Sequence, residues 1–110
     1  MVTLDRKKFY TAIYQFLSET MDEKKTENQT NVMVDNIIDT LADIEKMMAS
    51  STTNVINLSK KFHTLKNLLL YGDFYYESDL CQDIEMELRK RQKLSNVSSM
   101  YTELIDSLKM

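Results

Sequence analysis

Proline is absent from this 110-residue chain and Gly72 is its only glycine, so the residues that most tight β-turns require are missing. Helices joined by polar loops need little of either, and an all-α fold is expected. Cys81 is the only cysteine, which excludes an intrachain disulfide. No apolar run approaches the roughly 20 residues of a membrane span. The segment from Met1 through Arg6, Lys7 and Lys8 lacks the apolar stretch that follows the basic part of a secretory signal. A cytoplasmic protein without a membrane partner is therefore expected. Neither sign of charge is in large excess: 14 basic residues face 17 acidic ones, for a net −3, too weak a field to gather nucleic acid. Tryptophan is missing while methionine occurs eight times, the composition of a soft core more than of a chemical centre. The length suits one domain spanning residues 1–110.

What is present is helical periodicity. Phe9, Ile13, Leu17 and Met21 recur every four residues, with Asp5 near the start, and predict a first helix over about 4–21. Asp22 to Thr30 is polar throughout and reads as a linker or a frayed end. From about Asn31 to Ala49, the positions Val34, Ile37, Ile38, Leu41, Ile44 and Met48 form an i, i+3, i+4 stripe. Ser50 to Asn54 is a short polar break in which a hydroxyl or Asn54 caps the next helix, which runs to about Tyr71. Phe74, Leu80, Cys81, Ile84 and Leu88 continue the period after Gly72, and Arg89, Lys90 and Arg91 suit a helix C-terminus. After a break near Ser95 and Asn96, Tyr101, Leu104, Ile105 and Leu108 supply a last helix. Short connections after Asn31 predict an up-down antiparallel four-helix bundle over about 31–110, with the N-terminal helix added to it.

The one histidine, His63, falls on the third of these helices. At about 100° per residue, Val55, Leu58, Phe62, Leu65 and Leu69 gather on one face, and His63 lies roughly 120° from its middle. His63 should therefore be exposed. Ile56, Ser59, Lys66, Asn67 and Leu70 stand at i−7, i−4, i+3, i+4 and i+7 and share its strip of surface, with Ile56 and Leu70 as exposed apolar flanks. A nucleophilic imidazole with a cation one turn away and apolar docking contacts suits phosphoryl transfer. A solvated surface histidine is the plainer account of such a position.

The segment Phe62-His63-Thr64-Leu65-Lys66 resembles the core of histidine-containing phosphotransfer (HPt) domains, the carriers of two-component phosphorelays. The similarity extends to an acidic helix, Asp39 to Glu45, a short polar loop before the histidine helix and two further helices after it, covering roughly residues 31 to 110. The resemblance implies that His63 accepts a phosphoryl group from an aspartyl phosphate and passes it on, with Lys66 neutralising the phosphohistidine. It implies a response-regulator receiver domain or a hybrid histidine kinase as partner, meeting the chain at Ile56, Ser59, Asn67 and Leu70. It also implies that Mg²⁺ belongs to the receiver, so that this chain binds no cofactor and is a phosphotransfer intermediate more than an autonomous enzyme. Family members usually carry glycine after the lysine, where this chain has Asn67, followed by Leu68, Leu69 and Leu70. An inactive, HPt-derived interaction module using the same strip is the alternative. The pair would separate in the variant His63→Gln, which abolishes phosphotransfer in a carrier and spares binding in an adaptor.

Other constellations are weaker. His63 and Cys81 share no zinc-site spacing, and Cys81 lies on the apolar stripe of its helix as a core residue. Nothing marks a strained nucleophile turn. Tyr71, Phe74, Tyr75 and Tyr76 cluster beside Gly72 and read as packing that fixes a helical hairpin. The run Arg89-Lys90-Arg91-Gln92-Lys93 reads as a solvated helix end.

Overall fold

The computed structural model describes residues 6–50, 54–91 and 97–109. Those residues form five helices and no strand: α1 (Arg6–Leu17), α2 (Glu23–Ala49), α3 (Val55–Leu70), α4 (Tyr75–Arg91) and α5 (Ser98–Lys109). No helix among them is long and apolar enough to cross a membrane.

The segment expected as a linker, Asp22 to Thr30, instead opens α2. Asp22 is the N-cap, its carboxylate accepting from the Lys25 amide at 2.9 Å, and no glycine or proline interrupts the helix it begins. The buried stripe of α2 begins with threonines: Thr26 and Thr30 are fully buried, ahead of Val34, Ile37, Leu41 and Ile44. The Thr26 hydroxyl donates to the Asp22 carbonyl at 2.7 Å, which makes its burial tolerable. A search for apolar periodicity passes over such residues and starts the helix two turns late. At 1.5 Å per residue α2 is about 40 Å long, close to the 44 Å longest dimension of the chain.

The extra turns of α2 receive α1. Phe9, Ile13 and Leu17 are buried, whereas Met21, expected to continue their stripe, lies beyond the end of the helix and is exposed. Asp5 and the other residues of 1–5 lie outside the described residues. Residues from all five helices contribute to the buried cluster, so the core is not confined to residues 31–110. Each large apolar side chain removed from water in it contributes roughly 1.5–3 kcal/mol before conformational entropy is charged. The exposed Arg6–Asp35 pair, at 2.6 Å, adds at most about 1 kcal/mol.

Asn54 begins α3, its side chain accepting from the amides of Ile56 and Asn57 at 2.9 and 3.2 Å. The other cap candidates Ser51, Thr52 and Thr53, and the expected break at Ser95 and Asn96, lie outside the described residues. The most extensive helix contact is that of α3 with α4. The two run in opposite directions: Ser78 near the start of α4 donates to the Lys66 carbonyl, while Glu85, further along α4, meets His63, further back along α3.

The turn between them is a Schellman closure. The Phe74 amide reaches the Leu69 carbonyl at 3.1 Å and the Asp73 amide reaches that of Leu70 at 3.2 Å. Asp73, not Gly72, takes the left-handed conformation, with φ 58°. Gly72 serves a different need, since a Cβ there would lie 2.5 Å from Cε2 of the Phe74 ring. The aromatic cluster expected to pack this hairpin divides. Phe74 sits edge-on to Phe9 with ring centroids 5.6 Å apart, and Tyr71 meets Phe16 at 5.9 Å. Tyr75 and Tyr76 are exposed, contrary to the expectation: Tyr75 lies on the side of α4 opposite Leu80, Cys81, Ile84 and Leu88, and Tyr76 on the flank of that stripe. Their hydroxyls donate to the carboxylates of Asp73 and Glu103.

Candidate functional site

His63 projects from the middle of α3 with half of its side chain exposed. Phe62 and Leu65 beside it are fully buried, so the backbone that carries the imidazole is anchored in the core. Its Nδ1 lies 3.2 Å from Oε1 of Glu85 on α4. The other carboxylate oxygen of Glu85, Oε2, lies 3.1 Å from Nε of Arg89 one helical turn further on. The three side chains form a line, Arg89 to Glu85 to His63, in which the middle member is only 11% exposed and the outer two are about half exposed. A carboxylate that far from water needs hydrogen-bond donors; Arg89 supplies one, and the His63 ring nitrogen lies within hydrogen-bond distance of the other oxygen. The ring nitrogen away from Glu85, Nε2, is the one left for chemistry with an incoming molecule.

The strip expected around His63 is only partly present. Ile56 and Leu70 are each 40% exposed and Asn67 is exposed, so all three accompany the imidazole at the surface. Lys66 is half-buried and forms no ion pair among the described residues, which leaves its ammonium uncommitted one turn from His63. Ser59 does not belong to the strip. It is fully buried, its hydroxyl donating to the Ile56 carbonyl at 2.7 Å. At i−4 from His63 it falls on the side of α3 that α4 covers, and a helical wheel for one helix takes no account of a neighbour.

Glu85 and Arg89 are the partners of His63 that reading the sequence missed. Two signals point to them. Glu85 and Arg89 stand at i, i+4, the spacing of a helical ion pair, and Glu85 adjoins Ile84 within the buried stripe, an unusual place for a charge. Counting equal steps from the helix ends at Leu70 and Tyr75 also brings Gln82 opposite His63, within one turn of Glu85. Cys81, one turn before Glu85, is buried, and desolvation with the nearby Glu77 carboxylate pushes its thiol up to about 12. It belongs to the core and takes no part in the site. No protein family, curated protein or solved structure was found to match this chain.

Proposed function

We propose that this protein is a histidine phosphocarrier in a two-component phosphorelay, with His63 exchanging a phosphoryl group with the aspartate of a receiver domain. The observation that carries the reading is the half-exposed imidazole on a core-anchored helix, with Glu85 at its Nδ1 and no hydrogen-bond partner on Nε2 among the described residues. The HPt-like segment from Phe62 to Lys66 supports it, as does an all-helical chain in which α2 to α5 read as an up-down antiparallel four-helix bundle with α1 packed on it. In this reading the Nε2 lone pair attacks the receiver's phosphoryl group as the aspartyl oxygen leaves, and Lys66 offsets charge on the transferred oxygens. Mg²⁺ belongs to the receiver, the chain works in the cytoplasm, and Ile56, Asn67 and Leu70 form the docking surface. Incubation with phosphorylated receiver domains should place acid-labile, base-stable phosphate on the wild-type chain and none on His63→Gln. Receivers that bind both forms equally, with no phosphate on either, would instead make the chain a non-catalytic adaptor. That second reading draws on Asn67 and Leu70, which narrow the approach to the imidazole where HPt domains usually have small residues.

A further inference from the structure

We infer that the outer seam between α1 and α2 is a docking cleft for an arginine-bearing basic segment of a protein partner. Arg6, at the start of α1, pairs with Asn31 and Asp35 well inside α2, so the two helices run antiparallel. Tyr10 and Tyr14, one and two turns on from Arg6, therefore lie alongside Glu27 and Glu23, one and two turns back from Asn31. With Thr11 and Gln15, these four residues line an open cleft of about 500 Å³, a volume in the range of ligand sites.

The walls of the cleft suit a cation. Tyr10 and Tyr14 are half-buried, and their rings stack with centroids 5.8 Å apart and planes inclined by 23°. Tyr10 packs against the buried core, whereas Tyr14 stays outside it and rests on Tyr10, so the core does not account for its ring. Glu23 and Glu27 are exposed and stand at i, i+4, where like charges repel, and neither carboxylate forms an ion pair among the described residues. Glu23 complements the positive end of α2 in its first turn; Glu27, a turn further in, lies beyond the reach of that effect. Arg6 is held by Asp35, and of the other basic residues close by in sequence, Lys7, Lys24 and Lys25, none lines the cleft. Glu19, Asp22, Glu23 and Glu27 outnumber Lys24 and Lys25 along this stretch, which leaves its field negative.

A guanidinium meets both kinds of wall at once. Its flat face stacks on a tyrosine ring while its edge donates two parallel hydrogen bonds to a carboxylate. A lysine ammonium is a point charge without the flat face or the fork. A small free cation would remain largely in water in so open a cleft. A side chain carried by a segment of chain adds the contacts of its neighbours along the seam, and this decides the occupant. No residue of α3 or α4 lines the cleft, so the inference goes beyond the histidine-carrier reading and does not depend on it.

The test is an NMR titration of the full, ¹⁵N-labelled chain at low ionic strength with the capped peptide Gly-Arg-Gly-Arg-Gly. Saturable shifts should be confined to the backbone amides from Tyr10 to Gln15 and from Glu23 to Glu27. The matching lysine peptide should bind more weakly. Tyr14→Leu, which keeps an apolar side chain and removes the ring, should weaken the arginine peptide about two- to fivefold, the worth of a cation–π contact at an exposed site. Tyr14→Phe keeps the ring and should bind as the wild type does. Glu27→Gln should weaken binding by up to about fivefold, as loss of an exposed ion pair does. Shifts that never saturate, that spread over other acidic surfaces, or that persist at full affinity in Tyr14→Leu would overturn the site. Methylguanidinium that saturates the same amides at the same concentration as the peptide would overturn the docking segment, since the flanking chain would then contribute nothing. The wild-type titrations with the three probes decide the matter even if a variant fails to fold.

Discussion

Replacing Gly72 by alanine isolates one packing contact. The Gly72 backbone does not occupy the left-handed region, so alanine is conformationally acceptable there. By itself the change would stabilise the fold by about 0.4–1 kcal/mol through reduced freedom of the unfolded chain. The added Cβ, however, lies 2.5 Å from Cε2 and 2.8 Å from Cδ2 of Phe74, and 3.4 Å from the Cβ of Ala12. The Phe74 ring cannot swing clear freely, since it is edge-on to Phe9 and has the Lys8 ammonium 5.9 Å over its face. Forced overpacking of this kind costs about 1–3 kcal/mol, which outweighs the entropic gain. A net loss of about 1–2 kcal/mol corresponds to a melting temperature lower by roughly 4–10 °C for a chain of this size. Urea unfolding followed by circular dichroism measures it. The control is the same substitution beside Phe74→Leu, where the shorter side chain makes room and Gly72→Ala should cost less by about 1 kcal/mol. Equal cost in both backgrounds, or a Gly72→Ala variant more stable than wild type, would refute the contact as the cause.

Three other sites give expectations of their own. Thr30→Val should stabilise the chain by about 1 kcal/mol, because the Thr30 hydroxyl is buried without a hydrogen-bond partner; thermal melts check it. Asp73→Gly should raise stability by about 0.5–1 kcal/mol by relieving the φ of 58°, despite loss of the bond from the Tyr75 hydroxyl. The raised Cys81 thiol predicts a loss of stability in alkali. In the unfolded chain the thiol gives up its proton from about pH 9, while in the folded chain it holds it to about 12. The native state therefore binds more protons in that window, and its stability should fall by up to about 1.4 kcal/mol per pH unit above pH 9. Urea titrations at pH 8 to 11 should show this component of the slope vanish in Cys81→Ala.

The all-helical class is legible from the missing proline and near-missing glycine, and the core of α3 from the spacing of Leu58, Phe62, Leu65 and Leu69. The start of α2 is not, because threonines carry its first buried turns and threonine does not register in an apolar pattern. The outward position of His63 follows from one helix considered alone. The loss of Ser59 and the gain of Glu85 do not, since both depend on where α4 lies across α3. Tyr75 and Tyr76 show the same limit from the other side: aromatic residues beside a turn suggest packing, yet their hydroxyls bond carboxylates at the surface. Periodicity assigns a residue to a face, and only the neighbouring helix decides whether that face is covered.

The α3–α4 hairpin has a consequence for the order in which the molecule assembles and comes apart. Its helices are joined by the short turn at Tyr71 to Phe74, so bringing His63 against Glu85 closes a small loop at little entropic cost. The largest interhelical contact in the chain is thus also a local one, the kind that forms early and opens late. The Lys8 contact with the Ser107 carbonyl joins α1 to α5 across nearly the whole chain and has no such advantage. Opening at that closure exposes the base of α1 while the imidazole and its carboxylate remain paired. The amides around His63 and Glu85 are therefore expected to exchange more slowly than those of α1, an order that hydrogen exchange measures.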